Sequence, residues 1–240
     1  MKTETLSYQA DGLTMVSQLY WDESTAERRP GILVFPEAFG LGDHARSRAE
    51  RLACLGYVAL ACDLHGDGRV LSSLEEVMPA LDAIRTDPAR IRARAGGGLA
   101  ALRSRAEVDP RRIAAIGYCF GGTMSLELAR GGAEIAGVVG FHSGLATVAP
   151  QDAKNIKGKV LACIGADDPA IPPEQRAEFE AEMRAGGVDW RMNLYGGVVH
   201  SFTNPDADKL GRPEFAHYDA KADARSWTEM RAFFDEIFAG

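Results

Sequence analysis

Short apolar runs with no polar alternation recur along this chain, and they limit its fold more than any other feature. They lie at 31–35 (Gly-Ile-Leu-Val-Phe), 58–62, 113–116, 135–141 and 159–164. A strand with one wet face alternates apolar and polar side chains, because successive residues point to opposite sides. A run without alternation must be covered on both faces. Two earlier segments behave differently. Residues 3–7 alternate weakly, Ala10-Asp11-Gly12 reads as a turn, and 13–20 alternates as an antiparallel strand with one exposed face would. Residues 190–195 supply one more strand.

Helical segments separate these runs. The segment 43–55 opens on Asp43 as the expected N-cap and stops at Gly56. Residues 72–84 carry Ser73 followed by Glu75 and Glu76, acids that favour a helix start. Further helices are expected at 88–105, 120–130 and 173–185, the last two ending at Gly-Gly pairs. A final helix at 221–238 spaces Trp227, Met230, Phe234 and Ile237 along one face. Strand and helix thus alternate from end to end. The expected class is α/β: a mainly parallel central sheet with an antiparallel N-terminal start and helices on both faces. No Pro/Ser-rich linker, repeat or low-complexity tract interrupts it, so a single domain over residues 1–240 is expected.

The composition narrows the function. With 46% hydrophobic and 25% charged residues the chain reads as an ordinary soluble globular protein. Its formal net charge of −7 comes with no Lys/Arg-rich block, which argues against nucleic acid or an anionic membrane as partner. No stretch approaches the ~20 apolar residues of a membrane helix, and the first residues lack a signal-type apolar run. A cytoplasmic setting is expected, with a small molecule as partner and a monomer or weak homodimer as assembly. Cys54, Cys62, Cys119 and Cys163 are scattered, without a C-x-x-C pair or clustered histidines. Neither a disulfide framework nor a metal site is expected, and no cofactor is required.

One of those cysteines stands apart. In Gly117-Tyr118-Cys119-Phe120-Gly121 a short buried strand turns directly into a helix. This is the G-x-nucleophile-x-G elbow with Cys in place of Ser. The glycines leave room for a tight turn, and the helix N-terminus aims backbone N–H groups that stabilise a thiolate and later an oxyanion. A Rossmann loop would need G-x-G-x-x-G near the first strand, and that pattern is absent. Cys54, Cys62 and Cys163 read as inert core thiols.

A nucleophile needs a base, and the base an orienting acid, in the chain order nucleophile, acid, histidine. The strand at 159–164 runs into Asp167-Asp168, which puts a carboxylate at the sheet's carboxyl edge. The last strand runs into Gly196-Gly197-Val198-Val199-His200, which places His200 on a loop that can reach back to Cys119. His44 and His65 precede the nucleophile and His217 lies in a charged segment. All of them, with His142, read as structural or surface residues, although His142 follows a strand and so has the one remaining claim to line the pocket.

Together these residues resemble the dienelactone hydrolase family of α/β-hydrolases. The likeness rests on Gly-Tyr-Cys-Phe-Gly-Gly at 117–122, Gly-x-x-Asp-x-x-x-Pro at 165–172 and Gly-x-x-His-x-Phe at 197–202. It also includes Phe35-Pro36-Glu37-Ala38-Phe39-Gly40-Leu41, and Gly56-Tyr57 with Asp63-Leu64 around the following strand. The resemblance implies a Cys119–His200–Asp168 triad, with Asp167 bracing the loop, and a Glu37 that contacts the resting thiol. It implies an oxyanion hole from the backbone N–H groups of Phe120 and Ala38, and hydrolysis of a small carboxylic ester or lactone through a covalent acyl-enzyme. Family members hold the substrate carboxylate with arginines. Here one such position, two beyond Phe202, is Asn204, and for the other only Arg69 and Arg85 offer themselves. A broader esterase or thioesterase, a non-catalytic binding module and a redox-sensing thiol are the rival functions.

Overall fold

The structure is a computed structural model in which residues 1–24 and 26–239 are described. Strands β1 (Lys2–Ala10) and β2 (Leu13–Trp21) form an antiparallel hairpin. Its turn places Asp11 and Gly12 at φ 51° and 72°, where glycine is at ease and Asp is tolerated. The remaining strands are β3 (Arg29–Phe35), β4 (Val58–Ala61), β5 (Val108–Tyr118), β6 (Gly137–Phe141), β7 (Lys159–Gly165) and β8 (Trp190–Tyr195). They join the hairpin in one eight-stranded sheet of order β1-β2-β4-β3-β5-β6-β7-β8. β2 meets β4 antiparallel, and every pair from β4 onward is parallel.

Helices cover both faces of the sheet. They are α1 (Asp43–Cys54), α2 (Leu74–Asp82), α3 (Pro88–Arg103), α4 (Phe120–Arg130), α5 (Pro173–Gly186) and α6 (Ala220–Phe238). The unalternating runs explain why. On β3, Leu33 and Phe35 enter the core shared with α2, α3, α4 and α5, while Ile32 and Val34 enter the core shared with α1 and α6. Each run therefore loses water on both sides, which is the chief favourable term in forming such a sheet.

Two boundaries differ from expectation. Gly42, not Asp43, is the N-cap of α1; Asp43 sits in the first turn, where its charge still complements the helix dipole. β5 begins at Val108, well before the apolar run at 113–116. The polar Asp109-Pro110-Arg111-Arg112 stretch hides this part of the strand, and a register shift opposite Pro30 and Gly31 accommodates it.

α4 begins at the elbow and is anchored at its other end. Arg130 is fully buried. Its guanidinium donates to Glu182 at 2.7 and 2.8 Å, to Glu127 at 3.0 Å and to the Leu145 carbonyl at 2.8 Å. Removing one partner of a buried pair strands the other charge, so Arg130→Met is expected to cost about 3–5 kcal/mol. Urea unfolding midpoints of the two proteins measure this. A loss under about 1 kcal/mol would mean that the carboxylates find other partners.

Candidate active site

β5 delivers Cys119 into α4 through a strained turn. Cys119 has φ 54° and ψ −120°, a conformation that costs a non-glycine residue of order 1–3 kcal/mol. The packing around it enforces the strain. A Cβ on Gly117 would lie 2.0 Å from the Gly121 carbonyl oxygen, and one on Gly121 would lie 2.3 Å from that of Phe35. Strand and helix backbones can touch only because both side chains are missing. The turn leaves Cys119 partly exposed. Cys62 and Cys163 are buried, and burial pushes the Cys163 thiol up to about 12 and that of Cys62 higher still. They are core thiols, as expected, but Cys54, expected to be a third, is exposed near the end of α1.

His200 and Asp168 arrive from the carboxyl ends of β8 and β7. His200 Nδ1 lies 2.7 Å from Asp168 Oδ2, and Asp168 Oδ1 accepts the Ala170 N–H at 2.8 Å. Both residues are almost completely buried. It is therefore Asp168, and not its neighbour Asp167, that faces the imidazole. Main-chain bonds also clamp the histidine: its N–H donates to the Phe215 carbonyl at 3.1 Å, and its own carbonyl accepts the His217 N–H at 3.1 Å. Burial by itself would lower the His200 pKa. The negative charge of Cys119 and the Asp168 carboxylate outweigh it and hold the group well above the ordinary range.

The N–H groups of Phe120 and Ala38 donate to no protein acceptor among the described residues, so both are free to meet an oxyanion. His65 bonds the Ala38 carbonyl at 2.8 Å and so fixes the loop that carries one of them.

Glu37 corrects one expectation. Its Oε1 accepts the Ser201 hydroxyl at 2.9 Å and its Oε2 accepts the Asn204 amide at 2.5 Å. No hydrogen bond joins Glu37 to Cys119 among the described residues; neutral donors hold the carboxylate instead. Asn204 thus sits at the site, but as a partner of Glu37. The other expected substrate contacts fail. Arg69 and Arg85 do not line the cleft around Cys119, and Arg85 pairs with Asp82 at 2.9 Å on the surface. Phe202 is fully buried, edge-on to His142 and tilted against Tyr195, so it supports the site from behind.

That cleft has a volume of about 540 Å³. Cys119, His200, Glu37 and Asn204 lie on its floor, and α2 forms one wall. Among the described residues no cluster of three or more His, Cys, Asp or Glu side chains could hold a metal ion.

Behind the floor runs a chain of contacts that the sequence did not reveal. The Cys119 N–H donates to His142 Nδ1 at 3.2 Å as well as to the Phe141 carbonyl. An amide can only donate, so His142 carries its proton on Nε2 and gives it to Thr203 Oγ1 at 2.8 Å. Thr203 Oγ1 lies 3.3 Å from His44 Nε2, which Arg48 Nε also approaches at 3.4 Å. That leaves the His44 proton on Nδ1, 3.8 Å from Glu37 Oε2. A single direction of donation thus runs from the elbow to His44, whose Nδ1 makes no hydrogen bond and faces the Glu37 carboxylate only across that longer gap. His142 is completely buried, lies under the elbow and does not line the cleft. His44, upstream of the elbow in sequence, does line it.

With this geometry in place, comparison with known proteins gives a consistent result. The model of the dienelactone hydrolase family matches residues 18–238. The solved structure of m3DLH is 48% identical, with a TM-score of 0.94 and 98% of each chain covered. A dienelactone hydrolase-like promiscuous phosphotriesterase from metagenomic libraries is 43% identical, with a TM-score of 0.91 and 98% of each chain covered. A protein named "Putative carboxymethylenebutenolidase" from Methylorubrum extorquens is 30% identical over 184 residues, 72% of this chain and 63% of that protein.

The buried His142 makes stability depend on pH in a defined direction. Burial, followed by the charges of His200, His44 and Arg48, holds its pKa well below 6.5. The unfolded chain therefore binds this proton first as pH falls. The contribution is full above 6.5 and is lost at lower pH, with a limiting slope of about 1.4 kcal/mol per pH unit. Wild type should exceed His142→Gln in urea stability by more at pH 7.5 than at pH 5.5. A gap that widens towards acid would contradict a neutral His142.

Proposed function

The chain belongs to the dienelactone hydrolase family and is a carboxylic ester hydrolase, and we propose that it cleaves small esters or lactones through a covalent acyl-enzyme on Cys119. The observation that carries this reading is the 2.7 Å His200–Asp168 pair, whose imidazole is raised by the charge of Cys119. A cysteine partly exposed on a strained elbow, beside a base with a buried acid behind it, is the arrangement that nucleophilic catalysis requires.

The reaction follows from these parts. The Cys119 thiolate attacks the acyl carbon. The oxygen that becomes negative is met by the N–H groups of Phe120 and Ala38, at the N-terminus of α4 and on the loop after β3. His200 gives a proton to the departing alkoxide or enolate, which leaves a thioester on Cys119. His200 then takes a proton from water, whose oxygen attacks the thioester and releases the acid. Asp168 fixes the tautomer and orientation of the imidazole throughout. Glu37 shares the cleft floor with Cys119. Each of its oxygens keeps a lone pair beside the bond it accepts, so it can take the proton of a Cys119 that has relaxed to the thiol and so restore the thiolate. Residues 1–240 act in this reading as one hydrolase domain, in a cytoplasmic, monomeric or weakly dimeric enzyme.

A second reading within the same site is hydrolysis of phosphate triesters. It is supported by the 43% identity to a promiscuous phosphotriesterase, and the thiolate would attack phosphorus with the same base and donors.

Incubation with p-nitrophenyl acetate should give a burst of nitrophenol and an acetyl group on Cys119, seen by peptide mass spectrometry. Cys119→Ala and His200→Gln should each lose about 10³-fold or more in kcat/KM. An acyl group mapped to another residue, or full activity in Cys119→Ala, would sink the reading. Side-by-side rates on a dienelactone, a thioester and a chromogenic phosphate triester would rank the substrates.

A further inference from the structure

Resting on Cys119 as nucleophile, we propose that the cleft selects uncharged, apolar substrates against those bearing a carboxylate, and that Asn204 sets this selectivity. The charges on the cleft are the first ground. Glu37, Asp43 and Asp206 line it. Among the described lining residues Lys209 is the only lysine or arginine, and it is paired with Asp206 at 2.8 Å. The raised His200 is offset by Cys119 and Asp168, and the fully exposed Asp43 lies 3.8 Å from Arg46, so the excess negative charge that an entering group meets is chiefly that of Glu37.

Glu37 is the second ground. Its carboxylate is mostly buried on the floor beside Cys119, and both oxygens are satisfied by neutral groups, the Ser201 hydroxyl and the Asn204 amide. The third neighbour, His44 at 3.8 Å, is itself buried, and that burial lowers its pKa and favours the uncharged ring. The Glu37 charge is thus solvated by dipoles and cancelled by no cation. A second carboxylate brought to this floor would meet it across a partly desolvated gap, where like charges repel more strongly than in water.

The wall is the third ground. Val77, Met78 and Leu81 of α2 line the cleft together with Phe39, Leu210 and Phe215. These side chains reward apolar acyl or alcohol groups by removing their surface from water. Asn204 decides the outcome because of its reach. Its amide nitrogen already touches Glu37. An arginine there would place a guanidinium on the same carboxylate and leave donors over for an incoming anion.

Alkylation tests this without any need for hydrolysis. Iodoacetamide and iodoacetate are nearly equal in size and differ by one negative charge. Each rate on Cys119 is normalised to the same reagent's rate on free cysteine. The wild-type protein should favour iodoacetamide by about tenfold or more, and added salt should shrink the gap. Asn204→Arg should bring the two rates towards parity, and Asp206→Asn, at an exposed position, should narrow the gap by less. Normalised rates that are equal in wild type, or a ratio unmoved in both variants, would overturn the proposal. The same order is expected for kcat/KM on p-nitrophenyl hexanoate against the mono-p-nitrophenyl ester of adipic acid. Loss of the acyl-enzyme in mass spectrometry would remove the mechanism but leave the alkylation ratio readable, so the two ideas fail separately.

Discussion

The contact between the backbones of β5 and α4 at the elbow is the constraint on which the rest of this molecule depends. Gly117 leaves room for the Gly121 carbonyl of α4, and Gly121 in turn leaves room for the Phe35 carbonyl at the end of β3. That approach forces Cys119 to a positive φ and turns its side chain out of the core. The cost is met by structure on either side. β5 is a central strand, bonded to β3 and β6, and α4 is tied by Arg130 to Glu182 on α5. A local strain of order 1–3 kcal/mol persists only where its surroundings over-determine it.

The polar groups behind the elbow follow the same logic. His142, Thr203, His44 and Arg48 lie in the face of the sheet covered by α1 and α6, and a buried polar atom there must find a partner. The chain of donation from Cys119 to His44 meets that requirement except at His44 Nδ1, and fixes the protons as it goes. Arg48 closes it by donating to the Thr203 carbonyl and to Asp223 of α6. The cleft floor is therefore rigid on its inner side, while its outer side, Glu37 with Ser201 and Asn204, is held by bonds that a ligand can replace.

Local features of the chain gave away the fold and part of the site. Apolar runs without alternation mark strands because coverage on both faces is a property of each run, independent of its neighbours. Cys119, His200 and an acid at 167–168 were legible because each follows a strand, and the carboxyl ends of parallel strands share one edge; the choice of Asp168 over Asp167 rested on the family resemblance. The start of β5 was hidden because only Val108 and Asp109 pair with β3 there, and the polar Pro110, Arg111 and Arg112 bulge out before pairing resumes at Ile113. His44, His142 and Thr203 were hidden for another reason: their contacts join positions up to 159 residues apart, and no local pattern encodes such a meeting. Arg69 and Arg85 lie in the segment where the family resemblance calls for an arginine, and the fold keeps them off the cleft. Phe202 matched a motif correctly but faces inward, as its packing on His142 requires.

The two main-chain bonds of His200 have a consequence of their own. They join His200 to Phe215 and His217, so the intervening segment leaves and returns at nearly the same point. Asn204, Lys209 and Leu210, which help to line the cleft, all lie inside that closed excursion. Phe202 and Thr203 at its start stay tied to His142, His44 and Arg48, but beyond them length and sequence can change without moving the imidazole or its carboxylate. The molecule is thus divided into a part that must be inherited intact and a cassette that can be exchanged, and new preferences can arise in the second at no cost to the first.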